Sequence, residues 1–251
     1  MGNVGYQKLR STVLGAAFVV VSGVVSFAQN QPTAVVELFT SQGCSSCPAA
    51  DKVLAGYAKT ENILALSFHV DYWNYLGWQD TFSKAEFTDR QKRYAVSFKR
   101  RGIYTPQAVI NGRNHVVGSH GDDIQNLMSS YIKQGKGLTV PISTNRSSDK
   151  IQVTANVASG DATLWIVYFD KEHSVKILRG ENRGKTVSYH NVVREMSMMG
   201  MMKDGKLNVT LPLKEMRRMG HDSCAIILQQ TTSEGTPGAI LGATVVDDLG
   251  S

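Results

Sequence analysis

The sequence predicts an α/β domain followed by a mostly antiparallel, β-sandwich-like domain, and three observations predict it. Up to residue 135 short apolar runs alternate with helical periodicities. An Asn111-Gly112 pair sits between two β-prone runs. After residue 137 short β-prone segments recur at regular intervals with turn residues between them. The 251 residues suffice for two ordinary domains, and 42% hydrophobic against 19% charged residues is a normal balance for a chain that buries a core.

The first residues read differently from the rest. Lys8 and Arg10 precede an apolar run over residues 13–25, and Ser26-Phe27-Ala28 then offers small residues at the two positions a signal peptidase reads. Residues 1–28 are therefore expected to be a signal peptide. A single anchoring helix is the alternative, but the run is shorter than the roughly 20 residues a span needs. Export implies a periplasmic or secreted protein and places Cys44, Cys47 and Cys224 in an oxidising compartment. The net charge of +6 is mild, and the peptide carries two of the basic residues. The densest cluster, Lys99-Arg100-Arg101, falls at a predicted helix end, where cations suit the macrodipole. No aromatics interleave with it as a single-strand nucleic-acid groove would require. Neither nucleic acid nor, after cleavage, a membrane is expected as a partner.

The α/β domain is expected over residues 33–135. Residues 34–39 form a β-prone run typical of a buried parallel strand. A loop leads to Cys44, and Pro48 sits where a first helical turn tolerates proline. Ala50, Val53, Leu54 and Tyr57 then share one helical face. Residues 63–70 read as a second strand. Ser83-Lys84-Ala85-Glu86 reads as a capping box opening a helix towards Arg101. Residues 107–110 form a third strand, Asn111-Gly112 a hairpin to 115–117, and 122–134 a last helix ending at Gly135. The order is β-α-β-α-β-β-α, with the first three strands expected parallel and the hairpin strand antiparallel. The β-rich domain is expected over 138–249, with strands at 140–144, 151–157, 163–169, 187–195, 207–211, 224–230 and 240–246.

The chemistry centres on Cys44-Ser45-Ser46-Cys47. Two cysteines separated by two residues at a strand-to-helix junction can form a disulfide. The first lies where free N–H groups and the positive end of the helix dipole lower a thiol pKa. The second lies shielded in the first turn. Cys44 is thus the expected nucleophile and Cys47 the resolving cysteine. The same spacing fits half a zinc site or a structural disulfide, although a second C-x-x-C or Cys/His pair at ligand spacing is missing. No cofactor and no metal are expected.

The C-x-x-C after a first strand, together with Gly102-Ile103-Tyr104-Thr105-Pro106 before a strand and an Asn-Gly hairpin, resembles the thioredoxin superfamily. In that superfamily a cis-proline precedes the third strand and faces the disulfide, and its backbone pairs with an extended substrate. The resemblance implies this role for Pro106, with Thr105 beside it. It also implies that a buried acid on the first strand, Glu37 with a one-residue lengthening of the loop, moves a proton to and from Cys47. The blocks Glu37 to Pro48, His69-Val70-Asp71-Tyr72-Trp73 and Gly180-Glu181-Asn182-Arg183-Gly184 are closer still to a bacterial family of secreted thioredoxin-like proteins catalogued as domain of unknown function 1223. That similarity implies the fold and export.

Some features depart from ordinary thioredoxins. Ser45-Ser46 replaces Gly-Pro, and Gly43 stands where a tryptophan is usual. The segment from Asp71 to Arg101 is longer than usual and rich in aromatics. Residues 72–82 read either as a loop over the site, with Tyr72 and Trp73 contacting substrate, or as simple packing. Two serine hydroxyls near a Cys44 thiolate favour the reduced form and point towards an oxidant or isomerase. Cys224 alternates with apolar neighbours as a core thiol does. Residues 180–185 read as a solvated basic loop or an anion site. Met196, Met198, Met199, Met201 and Met202 fill a core or bind Cu(I).

The leading expectation is a periplasmic thiol-disulfide oxidoreductase acting on exported proteins with thiols or disulfides and served by a redox partner. The alternatives are a copper-binding carrier or metallochaperone, and a partner-binding module whose disulfide is structural.

Overall fold

A computed structural model describes residues 1–2, 31–247 and 249, with the side chains of residues 159, 203 and 204 left aside. The expected signal peptide lies almost entirely outside these residues. Among the described residues no helix is long and apolar enough to cross a membrane.

The α/β part follows the expected order. Strand β1 (Ala34–Thr40) is buried along its whole length. It pairs in parallel with β2 (Ile63–His69), with Ala34 opposite Ile63 and Thr40 opposite His69. On its other side lies β3 (Gln107–Ile110), followed by β4 (Asn114–Val117). Here one expectation is corrected: β3 runs antiparallel to β1, with Val36 opposite Ile110 and Phe39 opposite Gln107. The reversal comes from residues 98–106, which return the chain from the end of helix α2 to the same end of the sheet. At the hairpin Asn111 and Gly112 both take positive φ, 50° and 62°.

Three helices cover the two faces. Helices α1 (Cys47–Ala58) and α3 (Gly121–Lys133) pack Ala50, Leu54, Ile124 and Met128 against Val36 and Leu38. Helix α2 (Ala85–Ser97) packs Phe87 and Tyr94 against Val35, Phe39 and Phe68 on the opposite face. The alternation of β1 decides which residue meets which helix. Helix α2 stops at Ser97, short of the expected Arg101, and Lys99 follows in the left-handed region at φ 54°. Ser83 is not its cap either. The Ser83 hydroxyl donates to the Asp80 carbonyl, and Lys84 is the extended residue that precedes the helix.

The second half is antiparallel, as its alternating runs suggest, but it is not a separate sandwich. Two pairs of expected strands merge into β6 (Lys150–Lys176) and β7 (Thr186–Pro212), each of 27 residues. They form one ribbon with register shifts between Val157 and Asp161, Leu164 and Trp165, and Tyr168 and Phe169. Strand β5 (Ile142–Arg146) and strand β8 (Ser223–Thr231) lie along the same side of β6, and β9 (Pro237–Val246) lies outside β8. The segment before β5 is tied to β9, because the Val140 N–H donates to the Leu241 carbonyl at 2.8 Å. Ile151, Val153 and Ala155 therefore line the same core as Leu164, Ile166 and Leu228. A short helix α4 (Leu213–Arg218) closes it with Leu213 and Met216.

The two halves share one sheet. Ser67 of β2 pairs in parallel with Val192 of β7, and the Asn191 amide donates to the Ala65 carbonyl at 2.8 Å. The strand order is β4-β3-β1-β2-β7-β6-β8-β9. The core under α2 is likewise built from both halves, since Val167, Val193, Ile227 and Ile240 join Phe39, Phe68 and Tyr94.

Candidate active site

The chain leaves β1 at Thr40, turns at Ser41–Cys44, and enters α1 at Cys47. The turn is closed by the Cys44 N–H to the Ser41 carbonyl at 3.2 Å, and by the Ser41 hydroxyl accepting from the Gly43 N–H. Pro48 occupies the first turn of α1, where no N–H is missed. Cys44 and Cys47 form a disulfide across this entry, and the Ser46 hydroxyl lies 3.4 Å from the Cys44 sulfur.

Cys44 was expected to be the open member of the pair. Instead it is 1% exposed and Cys47 is fully covered. The second half of the chain holds the backbone of this turn. The side-chain amide of Asn182, itself fully buried, donates to the carbonyls of Gln42 at 3.0 Å and Cys44 at 2.8 Å, and its oxygen accepts from Lys185. The Glu181 carboxylate accepts from the Ser45 N–H at 3.1 Å. Gly180 holds φ 73° against Trp78, where a β-carbon would sit 3.3 Å from Trp78 Cβ. Residues 180–185 thus hold the cysteine turn through Asn182 and Glu181, while their basic side chains, Arg183 and Lys185, are exposed as a solvated loop's would be.

The aromatic segment buttresses the same turn. Trp78 Nε1 donates to Gln42 Oε1 at 2.8 Å, and the Gln42 N–H donates to Asp80 at 2.8 Å. A β-carbon on Gly43 would lie 3.1 Å from Trp73 Cβ, so glycine here lets Trp73 come close. Trp73 Nε1 then donates to the Thr105 hydroxyl at 2.7 Å. The Thr105–Pro106 peptide is cis, and Pro106 sits beside Ala50 of α1 at Gly118, whose added β-carbon would touch both. Trp73, Thr105 and Pro106 are therefore gathered around the cysteine turn. Tyr72 lies beside them, its half-buried ring 6.2 Å from the Trp73 ring at the edge of the α2-side core that Trp73 also borders.

Glu37 is fully buried, as expected, but it does not face the cysteines. Val36 and Leu38 point to α1, so Glu37 points to α2. There Arg90 Nε donates to Glu37 Oε1 at 2.8 Å, and the Tyr94 hydroxyl donates to the other oxygen. Gln229 of β8 completes the set, accepting from Arg90 and donating to Tyr94. Burial and the neighbouring Glu37 carboxylate push the Tyr94 hydroxyl well above its ordinary value, against the pull of Arg90. Glu37 binds three elements together, and the proton-relay position expected of it is not where it lies.

A different buried acid lies on α1 itself. Asp51 stands four residues after Cys47 on the buried face of α1, beside Ala50 and Leu54. The Thr40 hydroxyl donates to its Oδ1 at 2.8 Å, while its Oδ2 is buried without a partner. Burial pushes its carboxyl up to about 7, against the pull of His69 and Thr40. Beneath it His69 Nδ1 lies 2.8 Å from Asp80 Oδ2, with His69 Nε2 also buried and unpartnered. Burial pushes the Asp80 carboxyl up, but His69 and the N–H groups of Gln42 and Phe82 outweigh it, leaving it below the usual range. The Tyr189 ring packs 4.8 Å from His69. Asp51, His69, Asp80 and Asn182 were not singled out from the sequence; the i, i+4 spacing of Asp51 on the Cys47 face is the signal that points to the first of them.

Other candidates fall elsewhere. Cys224 is buried in the β-rich core, where burial and then Asp247 push its thiol up to about 12. Met199 and Met202 pack against that core and Met196 against the α2-side core, whereas Met198 and Met201 are exposed, so the methionine run is split among three environments. Among the described residues no group of three or more His, Cys, Asp or Glu side chains is placed to hold a metal ion.

A disulfide at the start of the helix after the first strand, with a cis X-Pro peptide immediately before β3, is the arrangement of the thioredoxin-like class. Within that class the chain belongs to the family described as protein of unknown function DUF1223, whose model matches residues 35–229. It is similar to the crystal structure of protein AGR_C_4864 from Agrobacterium tumefaciens, with 37% identity and a TM-score of 0.79 over 87% of this chain and 96% of that one. Over 84 residues it is 32% identical to a "Probable Thioredoxin" of Archaeoglobus fulgidus, matching 34% of this chain and 72% of that protein. HBP35 of Porphyromonas gingivalis shares the fold at 13% identity, with a TM-score of 0.60 over 86% of this chain and 75% of that one.

Proposed function

We propose that the chain is an exported thiol-disulfide oxidoreductase that exchanges disulfides with other exported proteins through Cys44 and Cys47. The observation that carries this reading is the Cys44–Cys47 disulfide at the entry to α1, with the buried Asp51 one helical turn below Cys47. In the reduced protein the Cys44 thiolate attacks a substrate disulfide, and the substrate's second sulfur leaves as a thiolate that takes up a proton. Cys47 then attacks the Cys44 sulfur of the mixed disulfide, which releases the substrate sulfur that was bonded to Cys44 as a thiolate and restores the Cys44–Cys47 bond. Asp51, whose carboxyl sits near neutrality, accepts the Cys47 proton in that second step. The reverse sequence oxidises substrate thiols. Thr105, fixed by Trp73, offers its main chain beside Pro106 to an extended substrate.

Substrate trapping tests this. Cys47→Ser leaves the mixed disulfide unresolved and should accumulate disulfide-linked complexes with exported proteins, whereas Cys44→Ser should not. The absence of any such complex in the Cys47→Ser chain would leave a structural disulfide as the better account.

A further inference from the structure

The second half of the chain does more than hold the cysteine turn. It places one charge on the peptide that follows Cys44. The Glu181 carboxylate sits 3.1 Å from the amide nitrogen of Ser45, the peptide that directly follows Cys44. Glu181 is itself exposed, and what fixes its place is the neighbouring residue, which is locked. Asn182 is fully buried, its amide spans the Gln42 and Cys44 carbonyls, and its oxygen is held by Lys185. Gly180 fixes the other end of the loop against Trp78.

We propose that Glu181, brought onto the Ser45 amide by the locked 180–185 loop, is a positioning residue that sets the acidity of the Cys44 thiol and thereby the oxidising power of the pair. The physical reason is the sign of the charge. N–H groups at a helix entry favour a thiolate. A carboxylate that takes one of these amides removes a donor, and its own negative charge disfavours a second anion beside it. The Ser46 hydroxyl, 3.4 Å from the Cys44 sulfur, acts in the opposite direction. The other charged or titratable groups around the turn are Lys185 on Asn182, and Asp51, His69 and Asp80 beneath it. A less acidic Cys44 stabilises the disulfide relative to the dithiol, so Glu181 makes the pair a weaker oxidant. This deepens the exchange reading and rests on it for its biological consequence, while its test needs no protein substrate.

The first measurement is the thiolate absorbance of Cys44 against pH in a Cys47→Ser background, with and without Glu181→Gln. Cys224 stays protonated over the working range and does not interfere. The second is the equilibrium of the intact pair with dithiothreitol. There the reagent's two thiols close to its ring disulfide and supply two electrons and two protons. The Cys44–Cys47 bond breaks, Cys47 is protonated, and the ionised fraction of Cys44 releases its proton to solvent. Glu181→Gln should raise the Cys44 acid constant by about twofold to fivefold and shift the equilibrium towards the dithiol by a similar factor. About 1 M salt should bring the wild-type values towards those of the variant. Asn182→Ala, which frees the loop, should move both quantities in the same direction. Unchanged acid constants in Glu181→Gln, or a change that salt leaves untouched, would overturn the proposal. If Cys47→Ser traps substrates while Glu181→Gln shifts nothing, this inference falls and the exchange reading stands. If nothing is trapped yet the acidity shifts as expected, the reverse holds.

Discussion

The side-chain amide of Asn182 lies 2.8 Å from the main-chain carbonyl of Cys44, across 138 residues of sequence. With the second bond to Gln42 it forms a two-point hold on the turn that carries the nucleophile, and both bonds are buried. Net contributions of about 1 kcal/mol per bond correspond to roughly thirtyfold in a local opening equilibrium. Asn182→Ala should therefore speed reduction of the disulfide by a phosphine on the order of tenfold at unchanged global stability of the β-rich core. Stopped-flow reduction kinetics beside a denaturation curve would check it, and equal rates would show that the loop does not limit access.

Asp51 makes stability depend on pH in a direction opposite to the usual carboxylate. Its folded-state pKa, about 7, lies above the ordinary 3.8, so between these values the folded chain binds the proton that the unfolded chain releases. Its contribution to stability is present at low pH and is lost as pH rises towards 7. For the oxidised protein the loss between pH 5 and pH 8 amounts to about 3 kcal/mol from this group. Asp51→Asn should flatten that dependence and should be relatively more stable at pH 8 than at pH 5. Urea midpoints across this range decide it, and a variant that keeps the wild-type slope would refute the assignment.

Glu37 and Arg90 give a different kind of prediction. The pair is buried, is shared with Tyr94 and Gln229, and joins β1, α2 and β8. Removing one partner leaves an uncompensated buried charge, so Arg90→Met should cost about 3–5 kcal/mol. Glu37→Gln should also destabilise but should leave the ratio of the two exchange steps unchanged, because its carboxylate faces away from Cys47. Selective slowing of the resolving step in Glu37→Gln would contradict this placement.

Cys224 should be silent in the native protein. Its thiol is buried and pushed up to about 12, so alkylation at pH 8 should label nothing until the chain unfolds, and one thiol thereafter if the disulfide is intact. Labelling of Cys224 at the rate of an exposed thiol would overturn that expectation.

Much of the α/β half was legible because local chemistry specifies it. Pro48 after the second cysteine marks a helix start, and Asn111-Gly112 carries the two positive φ values its turn needs. The direction of β3 was not legible, since β-propensity along residues 107–110 carries no sign and the reversal is made by the nine residues before it. The continuity of the sheet was hidden for a similar reason, as it hangs on one parallel bridge between Ser67 and Val192. Glu37 reads as an odd acid in an apolar strand, yet its partner Arg90 lies 53 positions away, and only the pleat of β1 says which helix it meets. Asp51 was legible in principle through its spacing from Cys47. Asn182 was not, because a polar residue between arginines and glycines looks the same whether it is solvated or fully buried.

The shared sheet also has a meaning in time. During synthesis Cys44 and Cys47 emerge early, whereas Glu181, Asn182 and Gln229, which hold the cysteine turn and complete the Arg90 network, follow well over a hundred residues later. Until they arrive, β2 has no neighbour on its outer edge and the cysteine turn has no clamp. The nascent chain therefore passes through a stage in which the cysteine turn lacks the bonds that Asn182 later makes to it, and the last third of the polypeptide completes the packing of the first.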